Sequence, residues 1–321
     1  MNTPSFYDRR GNAAVIIIGV VAVAAIAFAV YWFALRGGGG EASKLVSGFV
    51  PVEADFVGGV DVDGVVKSEL IKGIAASQGV KLDAVKAKLA ERGLDLDTLK
   101  TLAFGADAPE GGQMPTDFVA VATGTFDATA LKGAMATAKV AAAAKGVKGL
   151  DLSNLEVLDS GLVIGGSGSL LDKSKALAGG SGRSADDNAD LKAVRGAINE
   201  GATFWIAGPI PADVPLDGLD MMGSLGTKVG KPTHFAISAD ASNKLELEVA
   251  VRFDGEVSDM VNQLEGMLSM AKAFASGPQG EVLDSLDLGG SGQILRASLR
   301  LSQAAIETLA KQDGEGGLMP F

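Results

Sequence analysis

The chain has 321 residues, forty-four glycines, ten prolines, no cysteine, one histidine and a formal net charge of −11. Without cysteine it has no disulfide and no thiolate metal site, and a single histidine removes most acid–base and metal-ligand constellations at once. The acidic balance repels phosphate backbones and anionic lipid surfaces, which argues against a nucleic-acid partner.

The first predicted element is a helix over 13–35, AAVIIIGVVAVAAIAFAVYWFAL, with no charge, amide or proline. At about 1.5 Å per residue it would be roughly 35 Å long, enough to cross a hydrocarbon core of about 30 Å. Arg9 and Arg10 precede it, Arg36 follows it, and Tyr31, Trp32 and Phe33 cluster at its far end. That asymmetry places residues 1–12 in the cytoplasm and the rest outside it. The expectation is a signal anchor embedded in the lipid bilayer: a single-pass inner-membrane protein with an extracytoplasmic or periplasmic domain. Two rival readings stay open. In a cleaved signal, Ala27-Phe28-Ala29 would stand for the cleavage site, although the apolar run exceeds the usual 7–15 or so residues. In a prepilin leader, Arg9-Arg10-Gly11 before an apolar helix resembles the start of type IV pilins, but Ile16 stands where that family has glutamate.

Residues 36–48 open with Gly37 to Gly40 and read as a flexible tether. Arg9, Arg10 and Arg36 against Asp8 make the first forty residues +2, which leaves −13 for the remainder. That remainder is long enough for two small domains.

Period and punctuation predict strands at 55–62, 99–105 and 117–124, helical stretches from 64 to 92 and from 128 to 145, and a strand or hairpin over 155–165. Extra helices are predicted at 168–178 and 189–198. The second half repeats the order, with strands at 203–208, 233–239, 244–253 and 293–301 and helices at 217–226 and 255–275. LAFGAD at 102–107 answers FAISAD at 235–240, and GTFD at 124–127 answers VRFD at 251–254. Asp127 and Asp254 then each end a strand and precede a helix, as N-caps do. Val257, Met260, Val261, Leu264, Met267, Leu268, Ala271 and Phe274 recur as one apolar helix face. Twice β-α-β-β-α-β predicts an α+β fold of two tandem ferredoxin-like repeats behind a transmembrane helix. The first, with the extra helices, spans 49–199 and the second 200–312, followed by a flexible tail at 313–321.

The segments VPVEADFVGGVDVDG at 50–64 and SADDNADLKAVRGAINEGATFWIAG at 184–208 carry a Val-Pro-x-x-Ala-Asp strand opening and a Ser-x-x-x-Asn helix start. In these the chain resembles a family of bacterial membrane-anchored extracytoplasmic proteins with a domain of unknown function. The resemblance implies an α+β domain on an anchor and supplies no catalytic residues.

Candidate chemistry is sparse. Gly-Gly-Ser-Gly runs at 165–168, 179–182 and 289–292 lack the following Lys-Ser or Lys-Thr of a phosphate loop and read as flexible turns. Asp61-Val62-Asp63-Gly64 with Glu69 has part of a calcium loop, but Asp63 is equally placed to cap the next helix. Met221, Met222, Met260, Met267 and Met270 with Phe274 would either pack a core or line an adaptable apolar pocket. His234 has no Ser, Asp or Glu beside it in sequence and reads as structural or solvated. No catalytic, cofactor-binding or metal residue is assigned. The expectation is a non-enzymatic module that binds or scaffolds a protein partner in the bacterial envelope. The alternatives are a binder of a lipid or small hydrophobic ligand and, further off, a pilin-like subunit.

Overall fold

The computed structural model describes residues 41–77, 86–87, 90, 97–108, 117–125, 129, 156–159, 161–210, 230–241, 244–302 and 305–306. The β-branched and aromatic runs form strands β1 (Phe56–Asp61), β2 (Leu99–Ala106), β3 (Phe118–Gly124), β4 (Glu156–Asp159) and β5 (Leu162–Ser167). The second half supplies β6 (Phe204–Pro209), β7 (Pro232–Asp240), β8 (Leu245–Phe253), β9 (Leu286–Ser291) and β10 (Ile294–Leu301). All ten join in one sheet of order β4-β5-β3-β2-β1-β6-β7-β8-β10-β9, antiparallel throughout. The helices are α1 (Glu41–Phe49), α2 (Val62–Lys67), α3 (Glu69–Ser77), α4 (Gly168–Ala178), α5 (Ala189–Arg195), α6 (Ser258–Phe274) and α7 (Gly277–Ser285).

This overturns the expected pair of ferredoxin-like repeats. In a ferredoxin-like unit the two strands joined by a helix run in the same direction with another strand between them, whereas here β1-β2-β3 and β6-β7-β8 are direct neighbours in chain order, paired as antiparallel meanders. Strand β1 then pairs with β6 and fuses the halves. Read outward from that join, the orders are β1-β2-β3-β5-β4 and β6-β7-β8-β10-β9, so each half is a five-stranded unit of the same order. Gly58 faces Ile206 at the centre of the join.

The transmembrane helix, the signal anchor and the single-pass inner-membrane placement are corrected as well. Residues 13–35 lie outside the described residues, and among the described residues no helix is long and apolar enough to cross a membrane. The longest of these, α6, has seventeen residues and carries Asp259, Glu265 and Lys272, too short and too charged to span. Part of the predicted tether is a helix instead. In α1, Ala42, Leu45 and Val46 recur at helical spacing and are buried.

One face of the sheet presents Val57, Ala103, Val119, Val121, Ile164, Trp205, Ala207, Ala236 and Ala250 to a core closed by Leu45 and Val46 of α1, Leu170 and Leu171 of α4, and Leu191 and Val194 of α5. Gly59 lets α1 come this close, since a Cβ there would overlap the Ala42 methyl and the Trp205 indole. The opposite face carries a cluster of Val60, Leu102 and Phe204, and farther out the N-terminal half of α6 packs Met260 and Val261 on Phe253, Val251 and Leu295. Central strand β1 is apolar on both sides because both sides are covered.

Two of the three glycine runs are strand rather than turn. Gly165-Gly166-Ser167 ends β5 and Gly289-Gly290-Ser291 ends β9, while Gly179 and Gly180 do turn the chain after α4.

Candidate functional site

The residues singled out in sequence are mostly consumed by local structure. Asp61, not Asp63, caps α2: its Oδ1 accepts from the Gly64 N–H at 2.9 Å. Asp63 pairs with Lys67 on α2 and Glu69 with Lys72 on α3, each at 2.6 Å and exposed. Among the described residues no group of three or more histidines and carboxylates could hold a metal ion. Asp254 is not an N-cap. Val257 holds that position before α6, and the Asp254 carboxylate accepts instead from the Lys231 N–H at 2.6 Å, tying the start of β7 to the end of β8. Asp127, Met221, Met222 and the predicted helices at 128–145 and 217–226 lie outside the described residues, Thr129 excepted.

The fold gives His234 neighbours that the sequence kept distant. It lies in β7 beside Arg252 of β8, and Arg252 pairs with Asp190 of α5 at 3.2 Å. Burial holds the imidazole below its ordinary pKa; Asp190 opposes this and Arg252 adds to it. Among the described residues its Nδ1 is buried without a hydrogen-bond partner. The imidazole is thus half-buried on the face of the sheet covered by α5, beside the Asp190–Arg252 pair.

A second polar cluster went unrecognised in sequence. The guanidinium of Arg195, 3% exposed, bonds Glu200 through Nε at 2.5 Å and Asp186 through Nη1 at 2.7 Å, and lies 5.1 Å from the Trp205 ring centroid. Ser43 of α1 donates to Glu200. Burial raises the Asp186 carboxyl, but the Ser47 hydroxyl and the Arg195 charge more than offset it and leave it below the usual carboxylate range. The charged members are paired with one another and with Ser43, so the cluster clamps α1 to the second half, while among the described residues the Trp205 Nε1 beside it is buried without a hydrogen-bond partner.

What remains open is the C-terminal half of α6. The helix runs antiparallel to β9: the Val257 N–H donates to the Gly292 carbonyl at one end and Lys272 Nζ to the Leu286 carbonyl, 3.0 Å away, at the other. Met260 is 2% exposed, whereas Met267 is 42%, Met270 62% and Phe274 88% exposed. At 3.6 residues per turn these three share one flank, and Lys272 projects on the opposite flank. The stripe expected to be a single buried face is therefore split. Its first turns pack on the sheet, and in its last two turns Leu268 and Ala271 stay half-buried while Met267, Met270 and Phe274 are exposed. Among the described residues, Leu158 is the one other large apolar side chain counted as exposed.

No family model matches the chain, and no curated protein matches it. One solved structure, crystal form I of TP0453, shares 10% identity over 84% of this chain and 96% of its own, with a TM-score of 0.39. That likeness is too weak to assign a fold or a role.

Proposed function

We propose that the protein is a non-enzymatic protein-binding module whose contact surface is the free flank of α6. The observation that carries this reading is the exposure of Met267, Met270 and Phe274 together on one helix flank. Scattered apolar residues are ordinary on a surface, but a stripe of three large ones marks an interaction site. Methionine suits it, being unbranched and able to repack against a partner, and an exposed phenylalanine is a typical interface anchor.

A lipid or small hydrophobic ligand would call for an enclosed apolar cavity. The cleft of about 310 Å³ at β8, β10 and β9 is half open and lined by Glu248, Asp287, Arg296 and Ser298, so this second reading draws no support from it.

The test is site-specific photo-crosslinking in cells producing the full chain, with the probe at position 270 or at Ser269 on the opposite flank. Discrete adducts from 270 that are absent from 269, and that disappear when Met267→Ser and Phe274→Ser are added, are the expected result. Equal adducts from both positions, or none from 270, would end the proposal.

A further inference from the structure

We infer that β9 is a docking edge for a second copy of this chain, the two β9 strands pairing antiparallel about Leu288. The inference goes beyond the α6 reading and uses a different surface. β9 closes one end of the sheet, so one of its edges has no neighbouring strand. The phase of the ladder shows which groups lie there. The Phe253 N–H donates to the Gln293 carbonyl at 2.8 Å, so alternate residues of β10 bond β8, and Ile294, Arg296 and Ser298 bond β9 instead. Their opposites Ser291, Gly289 and Asp287 therefore turn inward, and Leu286, Leu288 and Gly290 turn their N–H and C=O groups to the free edge. Leu286 is already engaged, its N–H with the Leu283 carbonyl and its own carbonyl with Lys272. Leu288 and Gly290 have no backbone partner on that side among the described residues. The helix above does not cover them. α6 packs Met260 on Phe253 of β8 and sets Val261 over Gly290, so its axis there lies inward of β9, and Gly290 stays exposed.

The other face of this edge selects the occupant. Asp287 and Arg296 are exposed, share that face, and form no ion pair among the described residues. Arg296 stands opposite Gly289, so no side chain rises between it and the edge. When a second β9 pairs about Leu288, Asp287 falls opposite Gly289 of the second copy, with Arg296 of that copy directly behind the glycine. The Cα atoms of Asp287 and that Arg296 are then about 10 Å apart, a span the two side chains close over a residue that has none. Twofold symmetry makes this contact twice. Leu288 bonds Leu288 of the second copy in both directions, and each Gly290 N–H reaches the remaining lone pair of a Leu286 carbonyl. Other registers lose the charge match. Centring on Asp287 sets the two aspartates against each other, and centring on Gly289 sets Asp287 opposite Ser291 with Ile294 behind it. An edge that complements itself in this way is what a twofold dimer requires.

The test is sedimentation velocity of the full chain over a concentration series, for the parent and for Asp287→Arg and Arg296→Asp. Both positions are exposed and unpaired, so the variants keep the fold. The parent should show a reversible monomer–dimer equilibrium. Each variant alone sets like charges together twice and should weaken dimerisation about tenfold or more. An equimolar mixture of the two variants should recover dimers at about the parent's affinity, because every contact between unlike variants again joins opposite charges. The Met267→Ser, Phe274→Ser variant should dimerise as the parent does, which separates this edge from the α6 flank. A parent that stays monomeric up to about millimolar concentration, a dimer indifferent to both charge reversals, a mixture that fails to recover, or a dimer lost in Met267→Ser, Phe274→Ser would each overturn the inference. If crosslinking from position 270 fails while the mixture recovers, the edge stands without the α6 reading.

Discussion

At Arg195 the chain commits a guanidinium to the interior, and the rest of the clamp follows from that choice. Removing the cation while keeping bulk, as in Arg195→Met, leaves Asp186 and Glu200 without a counter-charge beneath α1. Breaking a buried ion pair in this way costs about 3–5 kcal/mol. The lower end applies because those two side chains keep 35% and 24% exposure. Urea denaturation should show the midpoint falling with little change in slope; an unchanged midpoint would mean the cluster does not hold α1. His234 has a pH signature of its own. Its folded pKa lies below the ordinary 6.5, so as pH falls past 6.5 the unfolded chain takes up the proton first and stability drops. His234→Gln should flatten the thermal midpoint against pH between about 6.5 and 5. An identical slope in the variant would show that the imidazole is not held neutral. Neither cluster was readable in sequence: Asp186, Arg195 and Glu200 lie within fifteen residues but are closed by Ser43 from a distant helix, and Asp190, His234 and Arg252 meet only through the packing of α5 on β7 and β8.

Among the elements, α6 separates what periodicity reports from what it omits. Its spacing marks an apolar flank correctly, yet spacing carries no information on which edge of that flank the sheet leaves uncovered. Met260→Ala, in the packed half, should cost about 2–5 kcal/mol. Met270→Ser, in the free half, should stay within about 0.5 kcal/mol of the parent. Comparable losses at both sites would show that the second half is buried after all. The other elements misjudged in sequence have equally specific causes. Glycines Gly37 to Gly40 hid the helix that starts at Glu41, and the Gly-Gly-Ser-Gly at 289–292 hid β9, whose glycines are tolerated beside the packed hairpin partner β10. Asp254 looked like a cap because it follows a strand and precedes a helix, but three further residues separate it from Ser258.

On the scale of the whole molecule, the positions of most strands were readable from alternation, and the correspondence of 102–107 with 235–240 holds in space as β2 with β7. The connection pattern was not readable. Whether an intervening helix returns the chain to a parallel or an antiparallel strand leaves no mark on a single sequence, and the pairing that fuses the halves joins residues nearly 150 positions apart. That pairing is the central structural claim. The Asp61 N–H donates to the Thr203 carbonyl at 3.0 Å, which sets the phase of the ladder and makes Gly58 and Ile206 a non-hydrogen-bonded pair. Their Cα atoms should then lie about 4.5 Å apart, with their Hα atoms closer still. A nuclear Overhauser measurement on the full chain, labelled at glycine and isoleucine, reads this contact directly. A strong Hα–Hα cross-peak between Gly58 and Ile206 is the predicted result. Its absence, with intact cross-peaks along β1·β2 and β6·β7, would mean two separate sheets and would contradict the continuous ten-stranded sheet.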